Sequence, residues 1–270
     1  MYKSYKLKNG IRIVTEHIPY FHSVSIGFWF RVGSAFEDPD ENGLSHFIEH
    51  MMFKGTEERT ARQIAKTLDS IGGQINAFTA KEYMCFYCNV VDEHIEMTLD
   101  LLSDMLLYSK YDSKEIDKEK NVILEEIDMY EDSPEDVVHE LLCKAYFENH
   151  PLAFPILGEP EGLLKYSKSD ILNFKQKYFT TDNLVIAVAG KLHEEKLISL
   201  IEKYLGNWQH RGTVTKEKGF RLSEPKILFT EKDIEQYHVS LSYPGITVNN
   251  SDLYPMLIMN NLLGGGMSSR

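Results

Sequence analysis

The stretch His46-Phe47-Ile48-Glu49-His50 constrains this chain more than any other. Positions i and i+4 share one face of a helix, so both imidazoles can point at a single metal ion. Glu49 sits one position before the second histidine, about 100° round a helix of 3.6 residues per turn. It can reach a metal-bound water without itself being a ligand. The H-x-x-E-H order therefore asks for a helix at this point. The flanks agree: Asp38-Pro39-Asp40-Glu41-Asn42 offers capping oxygens and negative charge ahead of it. Gly55, after the apolar Phe47, Ile48, Met51, Met52 and Phe53, can stop it. Two histidines on one helix face are equally compatible with ordinary surface or core positions, so context decides.

A mononuclear catalytic zinc takes three protein ligands and keeps one position open. Downstream, residues 115–127 place Ile116, Val122, Ile123 and Ile127 at helical spacing. Glu119 and Glu126, two turns apart, share a stripe of that helix. Carboxylates between apolar residues are costly unless partnered. A metal would neutralise one, and a histidine N–H would satisfy the other. The alternative is an exposed acidic helix, ordinary in so acidic a chain.

With these residues in view, the chain resembles the pitrilysin/insulinase family of zinc peptidases, and within it the mitochondrial processing peptidase β-subunit and its bacterial relatives. The run from His46 through Met51-Met52-Phe53-Lys54-Gly55-Thr56 is similar to that family's motif and its continuation. Ile75-Asn76-Ala77-Phe78-Thr79 resembles its substrate strand, and Glu119 with Val122-Ile123-Leu124-Glu125-Glu126 its distal ligand helix. Pro155-Ile156-Leu157-Gly158, the stretch 183–190 and Leu263-Gly264-Gly265-Gly266-Met267-Ser268-Ser269-Arg270 are further likenesses. The resemblance implies His46, His50 and Glu126, rather than Glu125, as ligands of Zn2+. It implies Glu49 as general base and then acid, and Glu119 as the group that orients a ligand histidine. Asn76, Ala77 and Phe78 are expected to offer an edge strand to an extended peptide. The function implied is a zinc metalloendopeptidase hydrolysing peptides or unfolded segments. The alternative is a catalytically silent binding or assembly subunit of a two-half processing peptidase. A carboxylate-bridged metal protein would need a second Glu-x-x-His set, which the sequence lacks.

Family members of this type carry two similar domains, in one chain or in paired chains, and exceed 270 residues. The chain is therefore expected to be a fragment, and its partner a second homologous half or another copy in a homodimer. Residues 1–210 are expected to form the zinc-binding peptidase domain, 211–224 a polar linker and 225–270 the truncated beginning of a second similar domain.

The expected fold class is α+β, a mixed sheet packed with helices, because strand and helix signals alternate irregularly. Strands are expected near 5–7 and 11–15 around Asn9-Gly10, then at 23–32, 74–79, 82–91, 184–189, 227–230 and 238–243. Helices are expected at the motif, 60–71, 93–108, 114–132, 135–148, 169–178, 194–205 and 252–263.

A net charge of −12 argues against nucleic-acid and anionic-membrane surfaces. Cys85-Phe86-Tyr87-Cys88 has a metal or redox spacing, but on a strand its two sulfurs face opposite ways and no second pair completes a site. Three reduced cysteines, no signal-peptide pattern at residues 1–10 and no long apolar run point to the cytoplasm and away from a membrane. His17, His22, His94, His139, His150, His193, His210 and His238 have no partner at ligand spacing and read as surface or structural residues.

Overall fold

The computed structural model describes residues 2–212, 219 and 224–270. The chain opens with a hairpin, β1 (Lys3–Lys6) and β2 (Arg12–His17), turned at Asn9-Gly10, where Gly10 has φ 108°. β3 (Ser23–Phe30) buries Val24, Ile26, Phe28 and Phe30 at alternate positions. Next come α1 (Leu44–Met52) and α2 (Ala61–Asp69). Thr60 and Gln63 close a reciprocal capping box on α2. A second antiparallel pair follows, β4 (Gln74–Thr79) and β5 (Met84–Val91). The helices α3 (Ile95–Tyr108), α4 (Ser113–Glu131) and α5 (Pro134–Phe147) then run consecutively. Short α6 (Pro160–Leu163), α7 (Lys168–Tyr178), β6 (Leu184–Gly190) and α8 (Glu194–Leu205) complete this part, and α9 (Leu253–Gly264) lies near the end.

The strands form one six-stranded sheet in the order β1-β2-β6-β3-β5-β4. Only β2 and β6 run parallel; every other neighbouring pair is antiparallel. The sheet is mixed and the fold is α+β. The helices α3 and α8 pack on one another and α3 packs on β5, and Ile13, Ile26, Phe28, Phe86, Ile186 and Val188 share one buried core with Leu99, Leu102, Ile201 and Leu205.

Sequence and structure part company at three places. The stretches 227–230 and 238–243 are not strands, and Ile227, Phe229, Val239 and Leu241 are exposed. A strand exists through its pairing hydrogen bonds, and among the described residues these segments pair with nothing. Of the expected linker, residues 213–218 and 220–223 lie outside the described residues. The third concerns the start of α1. Its cap residue is Gly43, with no side-chain cap of its own. Glu37, fully buried, supplies the oxygens instead: Gly43 N and Ser45 N donate to it at 2.8 Å each, and Asn42 Nδ2 at 2.9 Å. Asn42 Nδ2 also donates to Pro155 O at 2.9 Å, and Tyr166 Oη donates to Asn42 O at 2.7 Å. Here Gly43 (φ 96°) and Gly158 (φ 80°) bring two backbones into direct contact. A Cβ on Gly43 would lie 2.7 Å from Leu157 O, and one on Gly158 would lie 2.6 Å from Asn42 O.

Candidate active site

Helix α1 lies against both α4 and β4, and the three elements bring the candidate residues together. His46 is buried and His50 half-buried, with ring centroids 4.5 Å apart as expected one turn apart on a helix. Glu126 reaches across from α4. Its Oε2 is 3.8 Å from His46 Nε2 and 3.6 Å from His50 Nε2. Ligand atoms from the three residues all lie within 4.8 Å of one another, a group suited to a metal ion. Separations of this size are too long for hydrogen bonds. They match what two atoms about 2.1 Å from one tetrahedral ion require, roughly 3.4 Å. Glu125, its neighbour, is exposed. Two imidazoles and one carboxylate form a donor set that zinc accepts with a position left open.

Glu119, two turns before Glu126, is buried at 3% exposure. His50 Nδ1–H donates to its Oε1 at 2.8 Å, leaving Nε2 free to face Glu126. Lys54 Nζ meets its other oxygen at 2.5 Å. Burial alone would raise the Glu119 pKa. The hydrogen bonds and charges of His50 and Lys54 outweigh that and hold the group below its usual range. Lys54 escaped notice in the sequence, although it stands one turn beyond His50.

Glu49 points into the cleft beside the ligands and receives a 2.5 Å hydrogen bond from Thr79 Oγ1 of β4. Burial raises its pKa; the Glu126 charge adds to this, while Thr79 and His50 work against it. A carboxylate whose proton affinity is raised is a better base at neutral pH. Thr79 is the second residue missed in the sequence. The alternation of β4 could have found it, since Ala77 and Thr79 share a side of the strand.

His46 titrates differently. Burial pushes its pKa down from 6.5 to about 3, His50 reinforces the shift and Glu119 opposes it. Its imidazole is neutral at physiological pH, the form a metal needs. The unfolded chain binds a proton here below about 6.5, and the folded chain binds none until about 3, so acid favours unfolding across that window. With metal chelated, stability is expected to fall by about 3 to 5 kcal/mol between these limits. Urea unfolding against pH checks this. The slope should flatten in His46→Gln, and equal slopes would show that His46 is not the titrating group.

The cleft beyond Glu49 has a volume of about 340 Å³. Ala77 and Phe78 of β4 form one side, and Tyr130, His139 and Glu140 from α4 and α5 another. Ile156 and Leu157 complete it. His139 thus belongs to the cleft, although its spacing in the sequence gave no sign of it. β4 is an edge strand of the sheet. Ala77 is 9% exposed, and Phe78 is pinned edge-on by Trp29, Tyr83 and Tyr87 at 5.7 to 6.1 Å. Asn76 does not line the cleft; its carboxamide turns back onto the strand. Cys85 and Cys88 are buried, unpaired and away from the site, with thiols that burial pushes up to about 12. Among the described residues no helix is long and apolar enough to cross a membrane.

Comparison with known proteins gives a consistent answer. Residues 12–160 match the family described as insulinase (peptidase family M16), and residues 165–270 match the peptidase M16 inactive domain. An uncharacterized zinc protease of Bacillus subtilis, YmxG, is 46% identical over 274 residues, covering 100% of this chain and 66% of its own length. An uncharacterized zinc protease of Mycobacterium leprae is 35% identical over 270 residues, covering 98% and 60%. The chain thus spans about two thirds of these curated relatives or less. Two solved structures share the fold. A protease from Helicobacter pylori has TM-score 0.78 at 21% identity, covering 83% of this chain and 54% of its own. A peptidase M16 inactive domain from Pseudomonas fluorescens has TM-score 0.86 at 16% identity, covering 100% and 66%.

Proposed function

Because this chain belongs to the insulinase (M16) family of peptidases, we propose that the whole protein is a zinc-dependent endopeptidase acting on peptides or unfolded segments. The observation that carries this reading is the convergence of His46, His50 and Glu126 beside Glu49. His46, His50 and Glu126 would hold the ion. When bound, zinc would supply a water of lowered pKa, near 7, and a Lewis acid for the scissile carbonyl. Glu49 accepts the proton of the attacking water and passes it to the leaving amine. Thr79 fixes the carboxylate that does so. Glu119, held by Lys54, keeps His50 in the tautomer whose Nε2 is free. An extended peptide adds to the free edge of β4 at Asn76, Ala77 and Phe78, and main-chain hydrogen bonds align it across the cleft.

Residues 1–210 form the zinc-binding peptidase domain, 211–224 a linker, and residues from 225 onward begin a second similar half. The match of residues 165–270 to the inactive domain of the family supports a pairing of two halves. That pairing occurs within a longer chain or in a homodimer. The unpaired thiols fit the cytoplasm.

The test is hydrolysis of a mixed peptide library by the full-length protein. Cleavage should stop on metal chelation and return on addition of zinc. Cleavage that survives chelation would refute the metal-dependent reading. Zinc bound without any cleavage would assign the protein to a silent, binding role.

A further inference from the structure

The free edge of β4 is not bare. Asn76 Oδ1 accepts a hydrogen bond from the main-chain N–H of its own successor, Ala77, at 2.9 Å. Along a strand, main-chain groups point alternately to either side. β5 takes one side of β4, and no strand among the described residues takes the other. The Ala77 N–H aims at a neighbouring side chain and so belongs to the outer, unpaired side. An edge N–H of this kind is a docking point for another strand. The oxygen now on it comes from a carboxamide, chemically the same acceptor as a peptide carbonyl. Asn76 itself is exposed, so its side chain is free to leave.

We infer that Asn76 is a built-in competitor for the incoming peptide: its carboxamide holds the Ala77 N–H in the resting protein and swings away when an extended peptide pairs with β4. This rests on the proposed role of β4 as the peptide-binding edge. The contact has two effects. It quenches the edge against pairing with a second copy of the chain. It also penalises every peptide by the same amount whatever its side chains, so segments that make further contacts along the cleft are favoured over short ones.

Residue-resolved amide exchange on the full-length protein, combined with peptide binding, tests this. All variants carry Glu49→Gln to prevent cleavage and are loaded with zinc, and oxidised insulin B chain is the probe peptide. Asn76→Leu keeps the shape and removes the acceptor, Asn76→Ala removes both, and Asn76→Asp keeps an acceptor oxygen. Exchange at Ala77 should quicken about threefold to tenfold in Asn76→Leu and Asn76→Ala, and stay near the parent rate in Asn76→Asp. The peptide should bind Asn76→Leu about threefold to tenfold more tightly than the parent, and should protect the Ala77 amide in both. Unchanged exchange in Asn76→Leu and Asn76→Ala overturns the inference, and leaves the β4 reading intact if the peptide still protects Ala77. Equal or weaker binding to Asn76→Leu also overturns it, because the carboxamide is then no obstacle. Peptide that binds without protecting Ala77 in any form removes the β4 reading, and this inference with it.

Discussion

Replacing Glu49 by Gln in the full-length protein is expected to cut peptide hydrolysis by at least about 10²-fold while zinc stays bound. The substitution keeps the side chain's shape and an oxygen that can accept from Thr79, whose hydroxyl lies 2.5 Å from the present carboxylate. It removes only the capacity to take a proton. Glu49 lies on the same helix as two candidate ligands but is not among the three groups whose ligand atoms converge, so metal content should not follow activity. The loss should fall on kcat, because a proton transfer belongs to the transition state and not to peptide binding. Kinetics and elemental analysis on one preparation decide the matter. Zinc loss in step with activity would make Glu49 a ligand, and full activity in Glu49→Gln would remove it from the chemistry.

The ligand assignment predicts a graded series in metal affinity. His46→Ala and His50→Ala should each abolish zinc binding, and Glu126→Gln should weaken it severely. Glu119→Gln should cost less, about 10- to 100-fold, because it withdraws a group that holds His50 and not a ligand. Glu125→Gln should change nothing, since that side chain is exposed. Competition with a chromophoric chelator measures all five variants. A larger loss in Glu125→Gln than in Glu126→Gln would shift the ligand register by one residue.

The parts of this site that could be read in advance are those fixed by periodicity. A four-residue spacing puts His46 and His50 on one helix face, and a seven-residue spacing does the same for Glu119 and Glu126. Packing α1 against α4 then brings the two stripes together. The unread parts depend on contacts between elements remote in sequence. Thr79 reaches Glu49 only because β4 lies beside α1, and Glu37 caps α1 only because the chain before it folds back at full burial. A buried Glu outside the helix signals no cap in sequence, where Asp38 and Asp40 are nearer the usual pattern. The stretches 227–230 and 238–243 show the opposite failure. Their apolar, β-prone residues are a true local preference, but preference makes no strand without a partner to bond.

The position of β6 has a consequence for how the protein comes into being. It is the last strand among the described residues, yet it lies between β2 and β3, pairing with one through Val185 to Gly190 and with the other through Leu184 to Gly190. Until that segment leaves the ribosome, the β1–β2 hairpin and the β3–β5–β4 sheet are two separate pieces, each exposing an unpaired edge. Every candidate metal ligand has been synthesised by then. Closure depends on contacts spanning more than 150 residues, the kind of non-local pairing that slows folding and leaves apolar strands open to misassociation. Insertion of Ile186 and Val188 between the two pieces should therefore be the slow, committing event of folding. Substitutions there should delay maturation and promote aggregation, even though neither residue is among those that line the cleft.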